Sequence, residues 1–218
     1  MRPNMACTCL LPEGTKVVTP DIACPGWHLS SWKTAPFTTI PDMERWSILI
    51  EKEYLKFSCA HFLIFPDGSK ERLHGHNYRV RCEIDGDLDG HGLVIDFKEV
   101  KPVVRALCDE LDEHWIVPAH HPELKITHRP DGHTEVVYRQ ARYLAPSDEV
   151  LVLPIGNTSA EYFAAWFGRT LLARLRERFG HIRVRLLRLR ISETDGQDGV
   201  FVTDGETVAG PQPGISSP

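Results

Sequence analysis

The stretch "KERLHGHNYRVRCEI" (residues 70–84) places His74 and His76 at the start of a run in which apolar and polar residues alternate. Alternation with a period of two predicts a β-strand that buries one face, and residues two apart on a strand point to the same side. The face of the two histidines continues with Tyr78, Val80, Cys82 and Ile84. Because an unpaired polar group on a buried face is costly, these imidazoles need partners.

The preceding segment, "WSILIEKEYLKFSCAHFLIF" (46–65), supplies a third histidine. Its pattern predicts one long strand or two strands joined by a bulge. One face of this strand carries Phe57, Cys59, His61, Leu63 and Phe65. The connection "PDGSKE" (66–71) contains an Asp-Gly pair typical of tight turns, so a hairpin would set His61 opposite His74 and His76. Three neutral imidazoles would give Zn²⁺ three protein ligands and leave a fourth position open, as in catalytic zinc sites. The alternative is that the histidines form hydrogen bonds within the sheet.

Length and charge restrict the classes of partner. The 218 residues are enough for one sizeable core or two small ones. The formal net charge of -5 argues against a nucleic acid or an anionic membrane as partner. No apolar run approaches the roughly 20 residues of a membrane span, and the first thirty residues lack the apolar region of a secretory signal. We therefore expect a cytoplasmic protein.

The two ends of the chain differ in pattern from its middle. Residues 1–42 are rich in Pro, Thr and Cys without a regular period, which predicts a flexible N-terminal extension. Their Cys7, Cys9, Cys24 and His28 could ligate zinc, but the irregular spacing favours the extension. We expect one folded domain over 43–205, with an insertion at 120–153, and a flexible tail over 206–218.

The segments after the histidine hairpin predict an α+β fold. "DFKE" (96–99) and "TSAE" (158–161) resemble capping boxes and precede residues at helical spacing. Residues 123–153 predict an inserted hairpin. The last strands lie in 181–203, where adjacent leucines at 186–187 indicate a bulge. Strand runs separated from helix runs indicate an antiparallel sheet with two helices on one face.

Several motifs together resemble one enzyme family. "FSCAHF" (57–62) and "LHGHNY" (73–78), followed by "GLVIDFKEVK", "ELDEHW", "NTSAEYFAAW" and "RISET", resemble the 6-pyruvoyl-tetrahydropterin synthase / 6-carboxy-tetrahydropterin synthase family over roughly residues 45–203. The resemblance implies the tunnelling fold, a four-stranded antiparallel sheet with two helices, assembled as trimers that pair into hexamers with the pterin site between subunits. It also implies Zn²⁺ on His61, His74 and His76, and a dihydropterin triphosphate substrate.

The same resemblance assigns substrate contacts. Glu193 in "ISET" matches the glutamate that holds the amino-pyrimidine edge of the pterin, and a carboxylate can accept two parallel N–H bonds from such an edge. Thr158 and Ser159 match the residues at the helix start beside the ring, although a purely structural capping role is the alternative. The arginines of 183–190 are candidates for binding the triphosphate, and a solvated sheet face is the alternative.

The sequence departs from the usual family pattern just before the first histidine of the HGH motif. Members that form pyruvoyl or carboxy products carry a catalytic cysteine there, whereas this chain has Lys70 and Glu71. "ERLHGH" resembles the subgroup that cleaves 7,8-dihydroneopterin triphosphate to 6-hydroxymethyl-7,8-dihydropterin. A carboxylate base suits removal of a hydroxyl proton that zinc has acidified. The alternative is a 6-carboxy- or 6-pyruvoyl-tetrahydropterin synthase in which Cys59 or a solvent-derived base replaces the cysteine and Glu71 is a solvated loop residue.

A second departure affects the expected proton relay. The family has Asp followed directly by His, whereas "LDEHW" has Asp112, then Glu113, then His114. We expect Asp112 and His114 to serve, with Glu113 as the alternative to His114. The displaced histidine and Lys70 also favour an alternative from another class, a zinc-containing pterin-binding protein without catalysis.

Overall fold

The computed structural model describes residues 9–10, 16–17, 44–180 and 183–205. Strands β1 (Cys9–Leu10) and β2 (Lys16–Val17) form an antiparallel pair. The rest of the predicted extension and the tail lie outside the described residues, as do the side chains of the alternative zinc site at Cys7, Cys9, Cys24 and His28. The predicted domain boundaries therefore stay predictions.

The main body follows the predicted order of elements with additions. Its strands and helices are β3 (Trp46–His61), β4 (His74–Gly86), α1 (Phe97–Leu111), β5 (His114–Pro118), β6 (Leu124–His128), β7 (His133–Tyr138), β8 (Ala141–Pro146), β9 (Val150–Leu153), α2 (Ala160–Arg178), β10 (Val184–Thr194) and β11 (Gln197–Asp204). Within the described residues no helix has both the length and the apolar character that crossing a bilayer requires.

The central sheet has six strands rather than the predicted four, in the order β11-β10-β4-β3-β5-β9. The four strands from β11 to β3 are antiparallel, as predicted. The short strands β5 and β9 extend this sheet in parallel fashion. β5 is buried along almost its whole length, so it lacks the alternation by which a half-exposed strand is recognised in a sequence. The α+β class is therefore correct and the strand number was wrong.

The insertion forms a separate three-stranded antiparallel sheet, β6-β7-β8, rather than a hairpin. The third strand, β8, has the sequence ARYLAP, in which alanine and proline have low strand propensity. The run "VLVL", which the sequence assigned to the insertion, is β9 of the central sheet. The prediction from local strand propensity therefore missed one strand of the insertion.

Both helices pack on one face of the central sheet. This face buries alternating residues of β3, β4 and β10 with the apolar sides of α1 and α2 in one core. β3 pairs Glu51 with Arg81 and Lys56 with Arg79, so the four residues 52–55 lie opposite Val80 alone and form a bulge within one long strand. A second register shift lies between Val184 and Leu186, at the bulge predicted next to the adjacent leucines.

The predicted alternation of β3 fails beyond His61, where the strand ends. Phe65 is 43% exposed instead of buried, whereas Phe62 and Ile64 are buried. These two residues join a second apolar cluster beside the inserted sheet, with Trp115, Val117, Val136, Tyr138 and Val150. The insertion therefore has a core of its own, next to the end of the histidine strand.

The helix starts differ slightly from the predicted caps. Asp96 caps α1 as predicted, and its Oδ1 accepts from the backbone N–H of Lys98 at 2.8 Å. The cap of α2 is Ser159, whose Oγ accepts from the backbone N–H of Tyr162 at 3.3 Å. The expected cap, Thr158, was therefore placed one residue too early, since Ser159 is the last residue before the helical turns.

Candidate metal centre and active site

The hairpin of β3 and β4 brings the three histidines together as predicted. His61 pairs directly with His74, and His76 pairs with Cys59. One nitrogen from each of the three imidazoles lies within 4.8 Å of the other two. The His61 side chain is fully buried, whereas His74 and His76 are 37% and 24% exposed. The site therefore sits at the rim of the core and opens to solvent.

Hydrogen bonds to backbone carbonyls fix the orientation of two of the rings. His61 Nδ1 lies 3.0 Å from the Thr158 carbonyl oxygen, and His74 Nδ1 lies 2.7 Å from that of Arg72. A carbonyl oxygen can only accept, so each Nδ1 carries the proton and each Nε2 presents a lone pair. This is the tautomer that a histidine needs to ligate a metal through Nε2.

The surroundings of His61 Nε2 fit a cation. This nitrogen lies 3.0 Å from Tyr78 Oη, and the Tyr78 hydroxyl donates its proton to Glu193 Oε1 at 2.9 Å. The His61 proton is on Nδ1, so neither partner has a hydrogen to place between Nε2 and Oη. A divalent ion bound by the three imidazoles would satisfy His61. The donor set of neutral imidazoles suits Zn²⁺.

Burial keeps His61 in its neutral form. Loss of hydration lowers the pKa of this imidazole, and the hydrogen bond to Thr158 and the Glu193 carboxylate oppose the shift only partly. A neutral imidazole has the free lone pair that a metal requires. The electrostatic surroundings of His61 therefore agree with a role as a ligand.

Glu71 lies at the open side of the three histidines. Its Oε2 is 3.9 Å from His74 Nε2 and accepts from the backbone N–H of Leu63 at 3.1 Å. The side chain is 31% exposed, so it can reach both solvent and a molecule bound at the histidines. The geometry places Glu71 within range of the metal site.

Glu193 lies on the other side of the same site. Its Oε1 is 3.4 Å from His61 Nε2 and 3.5 Å from His76 Nε2. The residue lies on β10 on the same face as Ile191, which pairs with Val80 of the histidine strand. The structure therefore brings Glu71 and Glu193 to the same three imidazoles.

Asp112 and His114 follow α1 but do not form the expected side-chain pair. The Asp112 carboxylate accepts from the backbone N–H of Ser58 at 2.6 Å and so attaches the end of α1 to β3. His114 Nδ1 instead lies 2.7 Å from the Asp112 backbone carbonyl oxygen. Glu113 between them has a φ of 59°, and its N–H donates to the Ser58 carbonyl oxygen at 2.7 Å. Asp112 therefore orients His114 through its backbone.

An open cleft of about 830 Å³ lies beside the histidines, and its walls include Cys59, His76, Glu113, His114 and Glu193. Burial raises the pKa of the Cys59 thiol, with smaller contributions from Glu193 and Asp112. The cleft therefore combines imidazole, carboxylate and thiol groups at one opening.

The remaining predicted site residues have structural partners. Thr158 is fully buried, and its hydroxyl donates to the Phe62 carbonyl oxygen at 2.8 Å. Its contact with the site is made by its backbone carbonyl oxygen, which accepts from His61 Nδ1. Ser159 caps α2. Three of the candidate arginines form ion pairs with acidic residues, namely Arg185 with Asp87, Arg188 with Glu83 and Arg190 with Asp198. Their role with a triphosphate stays a prediction.

Two site residues were not singled out from the sequence. Tyr78 is fully buried and connects His61 to Glu193. Its position two residues after His76, on the same strand face, could have identified it from the sequence. The Asn157 side chain bonds both the N–H and the carbonyl of Ile64, at 3.3 and 2.8 Å. It ties the segment after β3 to the start of α2, a contact between distant parts of the chain that no local pattern indicates.

The fold and the site together define an α+β protein in which three histidines could hold a metal ion and two carboxylates lie beside them. The family model described as 6-pyruvoyl tetrahydropterin synthase matches residues 49–202. The chain belongs to this family, and therefore to a group of enzymes of pterin metabolism.

Individual relatives agree with this assignment. A Methanocaldococcus jannaschii protein, provisionally named 6-carboxy-5,6,7,8-tetrahydropterin synthase, is 32% identical over 148 residues, which are 67% of this chain and 89% of that protein. The 6-carboxy-5,6,7,8-tetrahydropterin synthase of Haemophilus influenzae is 40% identical over 72 residues, 31% of this chain and 50% of that enzyme. The crystal structure of 6-pyruvoyl tetrahydropterin synthase from Plasmodium vivax superposes with a TM-score of 0.69 at 29% identity and covers 74% of this chain and 99% of that one.

Proposed function

We propose that this protein is a zinc-dependent lyase that acts on the side chain of 7,8-dihydroneopterin triphosphate. The observation that carries this proposal is the convergence of His61, His74 and His76, whose ligand atoms lie within 4.8 Å of one another, with Glu71 3.9 Å from His74. Three histidine ligands would leave one coordination position for the substrate. The family membership supplies the pterin class of substrate.

The chain's own residues supply the steps of the proposed reaction. Bound Zn²⁺ would lower the pKa of a side-chain hydroxyl of the substrate. Glu71 takes the proton from the hydroxyl on C2′. The C1′–C2′ bond then breaks, its electron pair forms a C1′=C6 bond as the C6=N5 π pair moves to N5, and a two-carbon aldehyde leaves with the triphosphate. His114, on the cleft wall, returns a proton to C1′ and completes 6-hydroxymethyl-7,8-dihydropterin.

Glu193 orients the ring in this proposal. A carboxylate can accept two parallel N–H bonds from the amino-pyrimidine edge. The bond from Tyr78 at 2.9 Å holds Oε1 in place and leaves the carboxylate at the cleft. An ordered ring would keep C1′ and C2′ near the histidines and Glu71.

The product has a second candidate. The names of the related enzymes favour 6-carboxy- or 6-pyruvoyl-tetrahydropterin, and in this respect they support the alternative better than the cleavage reaction. The position of Glu71 favours cleavage, because an oxygen base is suited to a hydroxyl proton. One solved structure of the Plasmodium vivax enzyme is a mutant in which a catalytic glutamate is replaced by alanine, so that relative also uses a glutamate.

One experiment separates the candidates. The zinc-loaded protein is incubated with 7,8-dihydroneopterin triphosphate, and the pterins are separated by chromatography. We expect 6-hydroxymethyl-7,8-dihydropterin. A 6-carboxy or 6-pyruvoyl product would establish the second candidate instead. Substrate binding without turnover, in the wild type and in Glu71→Ala alike, would establish a non-catalytic pterin-binding protein.

We also propose the family's assembly, a homohexamer made of two trimers, in the cytoplasm. The outer face of the central sheet supports an association, because it exposes the apolar side chains Leu49, Val200 and Val202 at 60%, 44% and 47%. Sedimentation velocity would test the assembly. A monomer at micromolar concentration would contradict it.

A further inference from the structure

The turn that carries Glu71 is held by the inserted sheet. Tyr138 Oη, at the end of β7, donates to the Gly68 carbonyl oxygen at 2.9 Å, and Arg139 Nη1 donates to the same oxygen at 2.8 Å. Gly68 has a φ of +79°, and a Cβ at this position would collide with the Arg139 guanidinium. The turn and the insertion therefore fit closely at Gly68, three residues before Glu71.

A second contact involves Lys70, the immediate neighbour of Glu71. Its Nζ lies 4.8 Å from the ring centroid of Phe62 and 5.2 Å from that of Tyr143 on β8. These two rings stack at 5.6 Å with an interplanar angle of 23°, so the ammonium group can interact with both π-systems. The same Nζ donates to the Glu71 carbonyl oxygen at 2.8 Å. Lys70 therefore connects the backbone of Glu71 to the insertion.

Tyr143 also packs against the strand that carries His114. Its ring lies 5.5 Å from the Trp115 ring at an interplanar angle of 63°. Each of the three residues that Tyr143 contacts in this way is the chain neighbour of a site residue: Lys70 of Glu71, Phe62 of His61, and Trp115 of His114. Tyr143, a single side chain of the insertion, thus contacts the chain neighbours of Glu71, His61 and His114.

We propose that the inserted sheet is a positioning element for Glu71, and that Tyr138, Arg139 and Tyr143 are its positioning residues. Lys70 acts as a structural cation between the turn and the insertion. This inference rests on the proposed function, in which Glu71 is the base. A base must lie within hydrogen-bond reach of the proton that it removes, so a fixed turn raises the turnover rate.

The test uses two variants and a matched control. Tyr138→Phe removes one hydrogen bond to Gly68, and Tyr143→Leu removes the π-face while it keeps apolar bulk. The control is Arg142→Ala, because Arg142 neighbours Tyr143 on β8 but is 69% exposed and pairs with Glu135. We expect the amide hydrogens of Gly68 and Glu71 to exchange about fivefold faster in both variants, the factor for one net hydrogen bond in Tyr138→Phe and for one cation–π contact in Tyr143→Leu. Zinc content should stay at the wild-type level, because the three histidines are unchanged.

Kinetics distinguish positioning from a general loss of structure. We expect kcat to fall about tenfold or more with KM nearly unchanged, since a small displacement of a catalytic group is costly. In a Glu71→Gln background, the same two substitutions should lower kcat no further, because residues that act through one group are not additive. Additive losses would overturn the inference, as would exchange and kcat equal to those of Arg142→Ala.

The failure of the proposed function has a different signature. A wild-type protein that does not turn over dihydroneopterin triphosphate would contradict that function, and the exchange of the Gly68 and Glu71 amides would then decide the inference alone. If Tyr143→Leu fails to fold, Tyr138→Phe carries the test, because it removes a single hydroxyl.

Discussion

At the scale of single residues, the Glu71 carboxylate has the most direct test. We expect Glu71→Gln to lower kcat by about 100-fold or more, the usual size of a general-base contribution, because an amide cannot take up the proton. Zinc content should be unchanged, since the three histidines proposed to hold the metal are untouched by this substitution. Steady-state kinetics and metal analysis measure both quantities.

The matched control for this substitution is Glu177→Gln, on the exposed side of α2, which should keep wild-type kinetics. An unchanged kcat in Glu71→Gln would exclude Glu71 as the base. The product would then have to arise through another group of the cleft.

Glu113 offers a test of the backbone at the same site. Its φ of 59° lies in the left-handed region, where a side chain costs about 1–2 kcal/mol and glycine does not. We expect Glu113→Gly to be more stable than Glu113→Ala by about 1 kcal/mol, the reverse of the usual order. Urea unfolding of the two variants measures the difference. Equal stability, or a more stable alanine variant, would contradict the assigned conformation.

The three histidines could be predicted from the sequence, whereas their supports could not. A period of two places His74 and His76 on one face, and a tight turn sets His61 across from them. The hydrogen bond from His61 to Thr158 joins residues 97 positions apart, so it depends on how α2 packs. For the same reason the Asp112 carboxylate, predicted to pair with His114, bonds Ser58 instead.

At the scale of secondary-structure elements, the start of α2 depends on Gly199 of β11. A Cβ at Gly199 would collide with the backbone of Ala160. We expect Gly199→Ala to lower the free energy of unfolding by about 1–3 kcal/mol, as other overpacked contacts do. It should also weaken zinc binding, because Thr158 and Ser159 would move with the helix. Urea unfolding and a zinc titration measure the two effects.

Gly90→Ala is the matched control for this helix contact, since no atom lies within 4 Å of a Cβ built there. Its stability should remain close to that of the wild type. If Gly199→Ala behaved in the same way, the close approach of α2 to β11 would be refuted.

Strong periodic patterns predicted the elements correctly, and weak ones did not. The long strands β3, β4 and β10 alternate clearly, and the α2 stripe recurs at helical spacing. β5 and β9 are short and mostly buried, and β8 contains alanine and proline. Such segments become strands because a neighbouring strand is available for pairing. A local sequence pattern does not show which strands will be neighbours in the fold.

At the scale of the whole molecule, acid should destabilise the metal-free protein. Burial lowers the pKa of His61 in the folded state, whereas the unfolded chain has the ordinary value of about 6.5. Below that pH the unfolded state binds a proton that the folded state does not, so the free energy of unfolding decreases until His61 protonates in the folded state as well. Above the ordinary pKa, His61 contributes no pH dependence.

Urea unfolding in the presence of a chelator, between pH 8 and pH 5, measures this effect. Other acidic groups and histidines also titrate in this range, so the comparison is with His61→Gln, which lacks the imidazole. The variant should show a shallower decrease between about pH 6.5 and pH 5. Identical slopes would show that His61 does not carry the effect.

The rings of His61, His74 and His114 are all held by main-chain carbonyls, those of Thr158, Arg72 and Asp112. Alanine scanning at these three positions would leave each of the carbonyls in place and would underestimate what they contribute. The residue that supplies each carbonyl can be substituted without loss of the ring orientation, provided that the path of the main chain is kept. An isosteric backbone replacement, such as an ester introduced by chemical synthesis, would expose the dependence that side-chain mutagenesis leaves hidden.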